Sequence, residues 1–456
     1  MIDLFQSVLA FIVALGILIT FHEYGHFLVA RRFDVRILRF SIGFGRPLYL
    51  RRFGADQSEF VIAALPLGGY VKMLDEREGE VEVQELHRAF NRKPLRQRVA
   101  IVMAGPLFNF IFAIAAYWIM YMAGIEGLRP VIESVAKHSI AEIAGFRAGQ
   151  EIQEVDGLRT PTWFAVIDAT LNKVVDGKEI VFTVSEGQDK VIDIVLAMSS
   201  ISVDDMAGGH LLETIGWVPV RPQLPAVIGE VITGSAADHA GLEQGDRIIA
   251  IEGLTITSWG ILVDMVRSRP DKTLDFVLIR AGQRLSITLR PAAVTDESGK
   301  TFGMIGARVD PQPGAIEAYF ATESYYPHIA LLKAVDKTWD FSVLTLRVLG
   351  KMILGEASVK NLSGPISIAR YAGDSASIGL VAFLGFLAIV SVSLGVLNLL
   401  PVPLLDGGHL MYYLIESVKG SPVSESAQMM GQQIGIVLLL GLMGLAFYND
   451  IIRLIG

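Results

Sequence analysis

Residues 4–26 read LFQSVLAFIVALGILITF followed by HEYGH, and they decide the class of the molecule. Residues 4–21 carry no charge, yet His22, Glu23 and His26 follow within five positions. Ionisable groups at membrane depth cost free energy and mark function. In the H-E-x-x-H pattern the histidines stand at i and i+4, on one helix face, where both can bind one metal. Glu23 between them is placed to act on a metal-bound water rather than to ligate. The pentapeptide implies a hydrolase whose active site lies inside a membrane. Histidines that merely satisfy one another between packed helices, or a metal carrier without catalysis, are the competing readings.

The chain has 456 residues, and 52% of them are hydrophobic. Its mean hydropathy of +0.48 fits a mixed membrane and aqueous protein. It has no cysteine, which excludes disulfides and thiolate–metal sites, so a metal must use His and carboxylate. Four charge-free stretches are long enough for a bilayer, which needs about 20 apolar residues. They define a first span in 1–30, a second in 99–124, a third in 375–406 and a fourth in 426–450.

The basic residues orient these spans. Segment 31–98 holds 14 Lys+Arg against 9 Asp+Glu, with Arg31, Arg32, Arg36 and Arg39 at one border and Arg92, Lys93, Arg96 and Arg98 at the other. Segment 125–375 holds 23 against 32 and accounts for most of the net charge of −8. The positive-inside rule puts 31–98 in the cytoplasm and both termini, with the acidic region, outside. Nothing here offers the basic footprint of a nucleic-acid binder.

The outer region contains a duplication. VIESVAKHSIAEIAGFRAGQEIQEVDGLRTPTW from Val131 matches VIGEVITGSAADHAGLEQGDRIIAIEGLTITSW from Val227 at a constant offset of 96. The shared A-G-x-x-x-G-[DQ]-x-I pattern resembles PDZ domains, with Gln150 in the first copy where the second has Asp246. The resemblance implies two PDZ units, 127–220 and 222–309, whose grooves take peptides by strand addition or stand empty as spacers. Segment 310–374 follows. Its apolar residues recur at helical spacing but alternate with Lys333, Asp336, Lys337, Asp340, Arg347 and Lys351. That pattern predicts an amphipathic helix on the outer membrane border or on the second PDZ unit.

Two histidines leave a catalytic zinc one protein ligand short. Asp406 is the candidate third, in Asn398-Leu-Leu-Pro401-Val-Pro403-Leu-Leu-Asp406-Gly407-Gly408-His409. The first and third spans run in the same direction, so Asp406 and HEYGH fall at similar depth toward the cytoplasm. Pro401 and Pro403 break the helix ahead of Asp406. His409 is the competing ligand.

An H-E-x-x-H in the first span, N-x-x-P-x-P-x-L-D-G in a later one and PDZ units between them resemble the site-2 protease family of intramembrane zinc peptidases. Gly43-Phe44-Gly45, Pro66-Leu67-Gly68-Gly69-Tyr70-Val71-Lys72 and Ala104-Gly105-Pro106 agree with it. The resemblance implies four transmembrane helices with two inserted, mainly β, periplasmic PDZ domains in an inner-membrane protein. It implies one Zn2+ per chain held by His22, His26 and Asp406, with Glu23 as base. It implies cleavage of single-span membrane proteins, such as a pre-trimmed anti-sigma factor, and of remnant signal peptides in envelope stress. Asn398, Pro401, Pro403, Gly68, Gly69 and Tyr70 are the substrate-binding positions it points to. On residue type alone, Asn398 serves equally to bridge carbonyls freed near Pro401.

An unwound substrate segment needs backbone partners, because unsatisfied amides in lipid cost several kcal/mol. Val35–Phe44 and Phe60–Leu67 read as strands of a membrane-associated β segment able to supply them. A non-enzymatic PDZ scaffold explains the repeat but leaves Glu23 and Asp406 idle. A metal transporter needs ligands at several depths.

Overall fold

The computed structural model describes residues 2–187, 190–199, 201, 210–295, 301–310, 314 and 316–455. Four helices are long and apolar enough to cross a membrane: Phe5–Arg32, Leu95–Ala123, Leu380–Leu399 and Glu425–Arg453. The first belongs to helix α1, Ile2–Arg32, whose last turn carries Arg31 and Arg32, cations that suit a helix C-terminus. Helix α2 is Leu95–Ala123, ended by Gly124 at φ 93°. It forms the centre of the bundle, burying Ala113, Ala116, Tyr117 and Met120 against the span Leu380–Leu399.

The third span is shorter than the sequence suggests. Helix Pro365–Ile378 stops at Gly379, whose φ of 138° takes the chain out of the helix before Leu380. After Leu399 the chain is non-helical to Leu405, and Asp406 opens a new helix, Asp406–Lys419. Pro401 and Pro403 lack the N–H a continuing helix requires, so the span breaks where they stand.

Between α1 and α2, strands β1 (Ile37–Phe53) and β2 (Ser58–Met73) form one long antiparallel hairpin. Both strands bend, β1 at Gly43–Gly45 and β2 at Gly68, all with positive φ. The hairpin thereby folds on itself into four runs. Residues 46–53 pair with 58–63, which also pair with 37–42, which pair in turn with 69–73. Phe60 is matched to both Phe40 and Arg51, so residues 59–62 lie inside the sheet. The free edges are 46–53 and 69–73.

The two repeats have the same topology. Each has a four-stranded antiparallel sheet, in the order 158–159, 151–155, 179–186, 190–197 and 254–255, 247–251, 274–280, 283–289. Each adds a two-stranded ribbon and one main helix, Trp163–Asp176 or Trp259–Arg267, capped by Thr162 or Ser258. Their cores share no residue. One centres on Ile152, Phe182 and Trp217, the other on Ile248, Phe276 and Leu278.

The amphipathic segment is the helix Pro327–Leu354, while residues 311–313 and 315 of that segment lie outside the described residues. It packs on α2 and the first repeat rather than on the second. Small residues Ala330 and Ala334 let it approach Ala113 and Ala116 closely. Leu344, Val348 and Met352 cover Val175 of the first repeat, and Lys337 pairs with Asp168 beside them.

Candidate metal centre

The site forms where α1, α2 and the Asp406 helix meet. His22 and His26 occupy successive turns of α1, with Nε2 atoms 3.2 Å apart. Asp406 Oδ2 lies 3.2 Å from His22 Nε2 and 3.5 Å from His26 Nε2. Four ligands at about 2.0–2.1 Å from a tetrahedral zinc stand roughly 3.3–3.4 Å from one another. The three separations, 3.2, 3.2 and 3.5 Å, bracket that edge length. Asp406 Oδ2 is buried and has no hydrogen-bond donor among the described residues. A buried carboxylate oxygen without a donor, facing two imidazole nitrogens, is the arrangement a divalent cation would complete. The residues present therefore fit a zinc ion.

Backbone packing makes room for this trio. Gly25 lies so near α2 that a Cβ there would stand 2.4 Å from the Ala104 carbonyl. A Cβ on Gly105 would meet His26 Nε2 at 2.3 Å and His22 Cε1 at 2.8 Å. Any side chain at 105 would occupy the place of the imidazoles. Gly407 and Gly408 press on the backbone of Leu399–Pro403 and seat Asp406 at the start of its helix.

The outer nitrogens of the rings are also fixed. His26 Nδ1 donates to the Ile101 carbonyl at 2.8 Å, which leaves Nε2 free to ligate. His22 Nδ1 lies 3.1 Å from the side-chain amide of Asn109, which is fully buried in α2. An amide and its flipped form fill the same space. The structure places Nδ2 of Asn109 toward His22 and leaves its Oδ1 without a partner among the described residues; the flipped amide would accept the Nδ1 proton and hold the same tautomer as at His26. Asn109 and Ile101 are absent from the sequence-derived site. A buried amide inside the charge-free stretch 99–123 was the available signal for Asn109, whereas a backbone carbonyl leaves none.

Glu23 stays outside the trio. Its side chain lies against Gly69 of β2, where a Cβ would be 3.1 Å from Glu23 Cγ, and the Val71 N–H reaches its carboxylate. The edge run 69–73 thus passes directly beside the glutamate. Tyr70 stacks on Phe44 with centroids 6.0 Å apart, and its hydroxyl accepts from Arg39. Asn398 lies half-buried at the end of the third span, with no side-chain hydrogen bond among the described residues. Pro401 is exposed, and Pro403 is pressed by Gly435 of the last span. His409 is exposed on its helix and is not one of the three residues whose donor atoms gather within 4.8 Å.

The profile of peptidase family M50 matches residues 10–442 of this chain. The chain belongs to peptidase family M50. The family M50 chain is 45% identical over 456 residues to the regulator of sigma-E protease RseP of Escherichia coli K12, covering 100% of both. It is 39% identical over 459 residues to a putative zinc metalloprotease of Vibrio cholerae, again covering 100% of both. A Haemophilus influenzae regulator of sigma E protease is 39% identical over 446 residues, with 98% of each chain covered. Among solved structures, the PDZ domain of an SdrC-like protein from Listeria monocytogenes covers 20% of this chain and 93% of its own. Its TM-score is 0.17 at 20% identity, too slight a likeness to identify the repeats.

Proposed function

We propose that this family M50 chain is an intramembrane zinc metalloendopeptidase. One observation carries the reading: His22, His26 and Asp406 present three donor atoms within 4.8 Å of one another, beside helices long and apolar enough to cross a membrane. The relatives named zinc metalloprotease and regulator of sigma-E protease support the same chemistry.

His22, His26 and Asp406 hold the metal, and Glu23 is the base. A zinc ion held by these three residues would lower the pKa of a bound water to about 7 and polarise the scissile carbonyl. Glu23 accepts the proton of the attacking water and returns it to the leaving amine. Asn109 and the Ile101 carbonyl keep the two imidazoles in the ligating tautomer. Substrate enters as an added strand on the free edge 69–73, beside Glu23, with Gly68, Gly69 and Tyr70 in contact. Asn398, at the end of the third span just before the Pro401–Pro403 turn, donates to its backbone.

The substrates we infer are single-span membrane proteins, such as a pre-trimmed anti-sigma factor, and remnant signal peptides. The protein sits in the inner membrane with its basic hairpin in the cytoplasm and its acidic repeats, read as PDZ units, in the periplasm. There the repeats exclude substrates with bulky outer domains. A scaffold has no use for Glu23, and a transporter needs ligands spread through the bilayer rather than gathered at one depth.

The deciding experiment is Glu23→Gln assayed on a purified single-span peptide. Cleavage should vanish while zinc stays near one per chain. A Glu23→Gln protein without metal would make the glutamate a ligand, and an active one would remove it from the chemistry.

A further inference from the structure

One face of α2 meets every part of the metal centre. Arg98, Ile101, Gly105 and Asn109 follow at spacings of three, four and four, which aligns them along the helix. Ile101 holds His26, Gly105 touches both imidazoles, and Asn109 meets His22. Arg98 alone faces the other half of the site. Its guanidinium makes a two-pronged pair with Glu416, at 2.5 and 3.1 Å, across 318 residues of sequence. Its Nε donates to the Lys93 carbonyl at 3.1 Å, and its plane lies 4.9 Å from the Tyr413 ring centroid. All its directions of interaction are taken, and both charged groups are about 15% exposed.

Glu416 belongs to the helix that Asp406 begins. That helix is thinly held. Beyond the Gly407–Gly408 turn it buries only Tyr412 and Tyr413, while Leu414 and Val418 stay exposed. Little apolar packing fixes its register on α2. A slip of one residue along a helix axis is about 1.5 Å. Metal–ligand distances tolerate only about 0.2 Å.

We propose that the Arg98–Glu416 pair is a positioning element of the metal centre, setting the register of the Asp406 helix on α2. The histidines and the carboxylate are then measured from one ruler, the Arg98–Asn109 face. Neither residue touches zinc or substrate. The inference rests on the reading of Asp406 as a ligand.

The test is a double-mutant cycle on zinc affinity, measured by chelator competition with the full-length protein in detergent. Arg98→Met keeps the aliphatic packing on Tyr413, and Glu416→Gln keeps the shape of the carboxylate. Each single variant should weaken zinc binding about tenfold, the usual size for a group that orients ligands from outside the metal shell. The double variant should lose no more than either single, because both remove one interaction. Thermal midpoints of the metal-free proteins should stay together. Unchanged affinity in either single, or losses that multiply in the double, overturns the proposal. If Arg98→Met does not fold, Glu416→Gln and Arg98→Lys decide it, since lysine keeps the charge but not the two-pronged geometry. Asp406→Ala is the control. If that variant keeps zinc, the ligand reading falls. If it loses zinc and the pair variants do not, only the ruler falls.

Discussion

The two repeats differ most at one buried position of their common fold. Gln150 in the first and Asp246 in the second are both almost fully buried. Each accepts a backbone N–H three residues upstream, from Arg147 at 2.8 Å and from Glu243 at 2.9 Å. Around that shared hydrogen bond the charges are exchanged. Ile152 faces Val184 and Ile248 faces Leu278, so two residues further on Glu186 corresponds to Arg280. In the second repeat Arg280 grips both oxygens of Asp246 at 2.7 Å and also pairs with Glu243. In the first, Glu186 pairs with Arg147 and Lys190, and the Gln150 Nε2 has no partner among the described residues. A buried acid needs its cation; a buried amide of similar size does not.

The repeats also differ in attachment. The first is tied to the membrane bundle through Lys337–Asp168, the Val175 cluster and the ribbon Ile125–Leu128 with Phe320–Glu323. Duplication has yielded one docked unit and one held chiefly by its own core. That division suits a filter in which the docked copy fixes the height above the site and the other blocks the approach.

Five substitutions break or sharpen the comparison, and hydrogen exchange of the repeats' backbone amides in the full-length protein reads each of them. Arg280→Met strands Asp246 inside the second repeat and should cost about 3–5 kcal/mol there, with the first repeat unmoved. An unaffected second repeat would mean that its backbone hydrogen bond alone sustains the acid. Gln150→Asp places a charge in the first repeat without a cation and beside Glu186, for roughly 2–3 kcal/mol. Adding Glu186→Arg should restore most of that loss, and failure to do so would show that the two frameworks are not interchangeable. Lys337→Met should loosen the first repeat from its helix by about 1–2 kcal/mol, with faster exchange in Trp163–Asp176 and none in the second repeat. Gln150→Leu should cost no more than about 1 kcal/mol, the worth of the Arg147 N–H partner. A larger loss would reveal a partner for the amide.

Much of this was legible in the sequence, for physical reasons that can be named. Spans announce themselves by the absence of charge, and HEYGH by its presence in the wrong solvent. The duplication is visible because its glycines sit in turns at a fixed offset. Asp406 was found by topology, since the first and third spans must run the same way. The fold-back of the hairpin was not legible, because alternation along 37–73 does not reveal that each strand pairs with two runs of the other. The sequence therefore could not say which part of 36–72 offers an edge; the fold puts the edges at 46–53 and 69–73. Arg98 read as one of several border cations. Only the fold could bring Glu416 to it, and sequence spacing carries no trace of such a pairing.

His26 and Asp406 lie 380 residues apart, with the whole outer region between them. At 5–20 residues per second, synthesis takes roughly 20–75 s to cross that distance. On the proposed assignment, the nascent chain during that interval already holds the two imidazoles and the base but lacks the carboxylate that completes the trio. On that reading the order of translation acts as a safety catch: the proposed hydrolytic centre is not armed until the two repeats, its proposed outer guard, have been made.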